Sequence, residues 1–115
     1  MPLDVTRLRQ FVTVVQERGV IRGAEKLGVS QPTITRGIAS LEREFGCLFL
    51  ERTSWGVKPT RAGWLFFAHA VAILEAVNEA ERDLLKLGRL MNRGSATKGR
   101  KRANATRGKR AAGAS

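Results

Sequence analysis

The sequence has no tyrosine, one histidine, one cysteine, three prolines and no apolar run near the ~18 residues a membrane-spanning helix needs. Each scarcity excludes something. Cys47 alone cannot close an internal disulfide, which suits a reducing compartment, and its expected role is that of a small core residue. His69 has no second histidine and no neighbouring thiol with which to share an ion, so it is read as structural. No metal and no cofactor are expected. With these few groups and no clustered carboxylates, the sets that acid–base or nucleophilic catalysis needs are missing, and an enzyme is not expected. The opening "MPLDVTRLRQ" lacks the apolar stretch of a signal peptide, so the expected location is cytoplasmic, at the nucleoid, with no membrane partner.

Acidic residues are also few, 10 against 21 Lys+Arg, for a net charge of +11 over 115 residues. Such a balance points to a polyanion, nucleic acid first and an anionic membrane surface second. The imbalance is local. From Gly88 onward there are nine cations and no acid, which leaves 12 cations beside all 10 acids in residues 1–87. A nearly balanced domain is therefore expected to be followed by a basic tail. Residues 92–115 are rich in Gly, Ala, Ser, Arg and Lys with no large apolar side chain, and are expected to be disordered.

What remains is patterned. Leu8, Phe11, Val12 and Val15 fall on one face of a helix from Asp4 to Arg18, with Asp4 as N-cap and Gly19 as stop. Val20 to Leu27 reads as a short second helix with Ile21, Ala24 and Leu27 inward, ended by Gly28. In "VSQPTITRGIASLEREFG", Ser30 fits an N-cap and Pro32 the first turn of a third helix. Ile34, Ile38, Leu41 and Phe45 make its apolar stripe, and Gly46 stops it. Leu48–Leu50 and Val57–Pro59 read as a small hairpin turning at Ser54-Trp55-Gly56.

Thr60 then caps a long helix from about Arg61. Its apolar residues Phe66, Ala70, Ile73, Val77, Ala80, Leu84, Leu87 and Met91 are spaced alternately by four and three, the 3.5-residue repeat of a coiled-coil seam. Residues 61–91 span roughly 46 Å at ~1.5 Å per residue, too long to be covered by so small a domain. The simplest cover is a second copy of the chain.

Two short helices joined by a Gly-containing turn, the second with a polar first turn, describe a helix-turn-helix. In that arrangement the second helix sets its N-terminal residues against base edges in the major groove of double-stranded DNA. Gln31 can pair bidentately with adenine and Arg36 with guanine. Thr33 and Thr35 can reach a base or a phosphate, and Pro32 gives a rigid apolar contact. Ser30, Arg52, Lys58 and Thr60 are the candidate contacts to the backbone, with the hairpin as a wing. Trp55 at the hairpin tip is read as packing or flanking a phosphate, and Trp64 with Phe67 as packing the long helix onto the domain.

The stretch from "RLRQFV" through "AEKLGVSQPTITR", "LEREFG", "ERT" and "GVKPTRAG" into the long helix resembles the DNA-binding domain of LysR-type transcriptional regulators over about residues 5–91. The resemblance implies a winged helix-turn-helix, dimerisation through the long helix and sequence-specific operator binding. Carried over by position, it puts base contacts on Gln31, Pro32, Thr35 and Arg36, and wing contacts near Arg52 and Lys58. Two departures stand out. Gly23 replaces the family's usual alanine, at a helix-propensity cost of roughly 1 kcal/mol, and Leu48-Phe49-Leu50 replaces the usual polar-Leu-Phe order. Family members also continue into an effector-binding domain, so no small-molecule effector is expected on this chain.

The expectation is thus a mainly α protein. It comprises a winged helix-turn-helix over 4–62, a dimerisation helix over 61–91 and a basic tail over 92–115. The expected function is a dimeric DNA-binding transcriptional regulator. The alternatives are an architectural protein that coats DNA without sequence preference, and a truncated partner that forms heterodimers with related regulators.

Overall fold

A computed structural model describes residues 2–94 of the chain. The elements follow as α1 (Val5–Glu17), α2 (Val20–Leu27), α3 (Gln31–Phe45), β1 (Leu50–Thr53), β2 (Gly56–Pro59) and α4 (Arg61–Gly94). The protein is mainly α, with four helices and one antiparallel hairpin. It divides into two compact units, Met1–Val77 and Asn78–Ser115. The cationic segment from residue 95 on, expected to be disordered, lies outside the described residues. The helix continues through residues 92–94, which composition alone places in that tail.

In the first unit the helix ends follow the capping chemistry of the sequence. The Asp4 carboxylate accepts the Arg7 backbone N–H at 2.8 Å, closing the start of α1. The end of α1 differs from expectation. Arg18, not Gly19, takes the left-handed conformation (φ 59°), and Gly19 is extended as the N-cap of α2. A non-glycine residue is costly there. Backbone bonds on both sides hold it. Arg18 N–H and Gly19 N–H reach back to Val15 and Val14, and the Arg18 carbonyl accepts Val57 N–H from the hairpin at 3.2 Å. Gly56 sits beside that carbonyl, and a methyl at position 56 would collide with it.

The core gathers Leu8, Phe11, Val12, Val14 and Val15 of α1, Ala24 of α2, Ile34, Ile38 and Leu41 of α3, Phe49, and Phe66, Ala70 and Leu74 of α4. Three residues expected inside do not join it. Ile21 is 61% exposed, and the inward positions of α2 are Val20, Gly23, Ala24 and Leu27. Phe45 is half exposed, because α3 reaches its last turn where the core has already closed over Leu41. Cys47 is exposed rather than buried. Gly23 of α2 lies against Val14 of α1. A Cβ there would stand 3.0 Å from Val14 Cγ2, so the departure from alanine makes room for Val14.

Phe49 joins the helices to the wing. Its ring lies 4.8 Å from that of Phe66 and 6.0 Å from that of Phe11, while Phe11 and Phe66 stack at 4.3 Å. Its N–H donates to Glu42 Oε2 at 2.8 Å, which also accepts Leu50 N–H at 3.3 Å. Its carbonyl accepts Thr60 N–H at 3.0 Å. The strands begin at Leu50 rather than Leu48 because Phe49 is drawn into the core, and Leu48 is left exposed. The hairpin pairs Leu50 with Pro59, Glu51 with Lys58, Arg52 with Val57 and Thr53 with Gly56.

Phe66 and Ala70, which the 3.5-residue spacing places in the seam, are buried in this core together with Leu74. Both positions satisfy two patterns at once. The core-facing set 66–70–74 steps by four, while the seam set continues from exposed Ile73 through half-buried Val77. In the second unit, residues 78–94 are helical, and Ala80, Leu84, Leu87 and Met91 are exposed, as are Leu85 and Leu90 outside the seam. His69 is exposed on α4, and Trp64 is half exposed with its ring edge-on to Phe67 at 5.7 Å. Phe67 itself packs against the core, as expected.

The tightest junction is at Gly63, buried in the first turn of α4 against the Phe49 carbonyl, with which any side chain there would collide. Gly63→Ala is expected to destabilise the fold by about 1–3 kcal/mol, the range for overpacking, despite the better helix propensity of alanine. Urea unfolding followed by circular dichroism checks this, and an unchanged or raised midpoint contradicts it.

Candidate nucleic-acid interface

The first turn of α3 is held in place from behind. Ser30 Oγ accepts Thr33 N–H at 3.3 Å and lies 2.6 Å from Thr33 Oγ1, so one side chain both caps the helix and fixes its neighbour. Pro32 occupies the first turn, where a missing N–H leaves no bond unmade. Ile34, Ile38 and Leu41 anchor the opposite face in the core. All five candidate base-region residues, Gln31, Pro32, Thr33, Thr35 and Arg36, are exposed. The structure therefore brings them together on one solvent-facing turn.

They point to two flanks. Gln31 lines a cleft of about 340 Å³ with Arg18, Arg22, Arg52 and Trp55, between α2 and the wing. Thr35 shares a second depression with Arg52. Thr33 and Arg36 instead line a cleft of about 550 Å³ on the α1 side, with Arg7 and Arg43. Side chains of a strand alternate between faces. Arg52 therefore shares a face with Leu50 and Val57, towards α3, while Lys58 faces the other way with its register partner Glu51. Lys58 Nζ is 3.4 Å from Glu51 Oε1, an exposed pair that weakens its attraction for an anion. Of the two wing cations taken from sequence, Arg52 stands beside the recognition turn and Lys58 does not.

Thr60 also has a structural task. Its hydroxyl donates to the Leu48 carbonyl at 2.6 Å and accepts Gly63 N–H at 3.0 Å, capping α4. Sequence reasoning missed Arg18, Arg22, Arg7 and Arg43. Each looks like an ordinary surface charge until the packing of α1, α2 and the wing places it beside α3. Trp55 is 92% exposed at the hairpin tip, and the Thr53 hydroxyl fixes the turn by accepting Trp55 N–H and donating to the Gly56 carbonyl. Its ring does not pack on the domain. Among the described residues, no three His, Cys, Asp or Glu side chains gather to hold a metal, and no helix is long and apolar enough to cross a membrane.

The family model described as "Bacterial regulatory helix-turn-helix protein, lysR family" matches residues 5–64. The chain belongs to that family. It is 39% identical over 77 residues to the HTH-type transcriptional regulator BenM of Acinetobacter baylyi, covering 67% of this chain and 25% of BenM. Against the regulator PcaQ of Agrobacterium fabrum it is 42% identical over 73 residues, 64% of this chain and 24% of PcaQ. The chain thus spans about a quarter of the length of these curated relatives. A crystal structure of the BenM DBD with benA site 1 DNA is similar at a TM-score of 0.69 and 35% identity, over 74% of this chain and 99% of that one. That of the CbnR DBD with DNA is similar at 0.67 and 32% identity, over 74% and 98%. The match covers the three helices and the wing as well as the start of α4, so the departures at Gly23 and Phe49 are accommodated within the lysR-family fold.

The geometry of the turn rests on its cap. Ser30→Ala is expected to cost about 1 kcal/mol of stability. Urea unfolding of the variant measures it, and a loss below ~0.3 kcal/mol would show that the backbone turn at Gly28–Val29 holds α3 without the hydroxyl.

Proposed function

We propose that this chain is the DNA-reading part of a transcriptional regulator that binds double-stranded operator DNA as a dimer. In this reading, residues 4–62 form the reading head and residues 61–91 the dimerisation helix. The observation that carries it is the first turn of α3: five side chains able to contact bases, all exposed, on a capped helix with arginines on both flanks. The likeness to solved DNA complexes supports the same reading.

The chemistry follows from residue type. Arg36 presents a planar fork that matches guanine O6 and N7, and Gln31 a carboxamide that matches adenine N6 and N7. Thr35 offers a methyl for thymine, with Pro32 as a rigid neighbour. The free N–H groups and positive end of α3 favour a phosphate beside them, and Arg52 adds a charge from the wing. Ser30 and Thr33 hold each other, so both also position the turn.

Arg36→Ala is expected to weaken cognate binding by ~1–3 kcal/mol and to relax preference at one base position. Binding-site selection on both proteins measures this, and recovery of the same motif at the same affinity removes the role.

Dimerisation is supported by apolar side chains left in water. Within the first unit, Ile73 is exposed; within the second, Leu84 is 67% and Leu87 52% exposed. Together with the 3.5-residue spacing, these exposures favour a helical partner. Leu84→Asp with Leu87→Asp is expected to yield folded monomers in sedimentation equilibrium, since neither side chain is buried in its own chain. A double variant that still sediments as a dimer places the interface elsewhere.

A further inference from the structure

The cleft between α1 and α3, on the flank of α3 away from the wing, is not absorbed by base reading or by the wing. Along α3 it is lined by Thr33, Arg36, Ser40 and Arg43, residues that share one side of the helix, and along α1 by Arg7 and Gln10. Three guanidinium groups face one acid, Asp4, whose carboxylate caps α1 through one oxygen and lies 3.9 Å from Arg7 Nε through the other. Cations dominate, and Arg36 and Arg43 have no acidic partner among the described residues.

The floor is the unusual part. Gln10 is only 8% exposed, yet its carboxamide makes no hydrogen bond among the described residues. It lies against Gly37, where an added Cβ would stand 3.2 Å from Oε1. A buried carboxamide without a partner is unfavourable unless something outside the chain satisfies it. Among the described residues no unpartnered side-chain polar atom is sealed off completely, so the carboxamide keeps a narrow opening, and it opens on this cleft. A carboxamide at the floor, whose N–H₂ can donate once the group turns about its last bond, and guanidinium groups at the walls match a tetrahedral anion, and arginine forks suit phosphate in particular. A volume of about 550 Å³ admits a phosphate with several waters at ~30 Å³ each.

We propose that this cleft is a phosphate site, and that its occupant is a backbone phosphate of the DNA whose bases the first turn of α3 reads. The inference rests on the DNA-binding reading above. Three features favour a DNA phosphate. The cleft starts at Thr33 and Arg36, on the reading turn itself. It runs on to Arg43, seven residues and ~10 Å along the helix axis. The wing flank carries Arg18, Arg22 and Arg52, so arginines stand on both sides of the turn, as phosphates stand on both sides of a major groove ~12 Å wide. Gln10 and Arg43 then set the register of α3 on the duplex without reading sequence.

The test uses the full chain and a duplex carrying its selected site. Arg7→Gln with Arg43→Gln should lower the slope of log K against log salt by ~0.9, the increment for one phosphate no longer neutralised, while the selected motif stays unchanged. A duplex with a neutral methylphosphonate at the flanking position should weaken wild-type binding and leave the double variant unaffected. In unsubstituted protein, the Gln10 side-chain amide resonances should shift on adding the duplex, a readout that depends on no variant folding. An unchanged salt slope, or a Gln10 amide that the duplex does not move, overturns the proposal. Shifts produced by inorganic phosphate or by polyglutamate but not by the duplex overturn the DNA occupant, in favour of a free anion or an acidic protein. Wild-type protein that selects no duplex defeats the DNA-binding reading itself. Specific binding with an inert cleft defeats only this inference.

Discussion

Phe49 is the residue on which the arrangement of the first unit depends. Its ring fills the space between Phe11 and Phe66, its N–H is held by Glu42 of α3, and its carbonyl is held by Thr60 at the start of α4. One residue thereby couples α1, α3, the wing and α4. Each aromatic pair is worth about 0.5–1.5 kcal/mol beyond its buried area, and each hydrogen bond about 1 kcal/mol. No single interaction is large, but they share one residue, so their geometry is set together. Gly63 and Thr60 follow from it. The start of α4 lies so close to the Phe49 carbonyl that position 63 tolerates no side chain, and the Thr60 hydroxyl bridges Leu48 to the new helix.

A second constraint runs through Arg18. The turn between α1 and α2 adopts a conformation unfavourable for arginine, and the carbonyl so exposed receives Val57 N–H from the wing. Gly56 permits that approach. The hairpin, too small to be stable alone, is thus fastened at both ends: to α3 through Glu42 and Leu50, and to α1 through Arg18. This fixes the side of the recognition turn on which Arg52 stands. A wing attached only by its own strands would leave the direction of Arg52 undetermined.

Much of this was legible in the sequence where the signal is local. Capping residues, stop glycines and apolar spacing at 3.6 residues located α1 to α3 nearly to the residue, because those signals act within one or two turns. Where the outcome depended on what arrives from elsewhere, sequence was a poorer guide. Ile21 and Phe45 have the right spacing, but Ile21 stays exposed and Phe45 is only half covered, its ring 6.2 Å from that of Phe49. Phe66 and Ala70 satisfy a 3.5-residue repeat and a core-facing step of four equally well, and only the position of Phe49 decides. Arg52 and Lys58 look alike as wing cations, but a register that pairs Lys58 with Glu51 puts them on opposite faces. Gln10, one polar residue within the apolar face of α1, carried a signal that went unread. A polar residue in such a stripe is either satisfied or functional. Spacing and family likeness name the candidates of the reading turn, and the fold gathers them on one exposed face.

The charge distribution gives a final step. Residues 1–87 are nearly neutral in sum, yet the two flanks of α3 are not. The acids are drawn into structural tasks: Asp4 caps α1, Glu42 holds Phe49 and Leu50, Glu17 pairs with Lys26 at 3.2 Å, and Glu51 pairs with Lys58. Each task takes an acid away from the recognition turn or neutralises a cation that faces elsewhere. What is left around α3 is Arg7, Arg18, Arg22, Arg36, Arg43 and Arg52, with few acids opposite them. A small domain need not carry a large net charge to present a strongly cationic surface. It suffices that the folding hydrogen bonds employ the acids: Asp4 stays beside Arg7 at 3.9 Å, while Arg18, Arg22, Arg36, Arg43 and Arg52 have no acidic partner among the described residues.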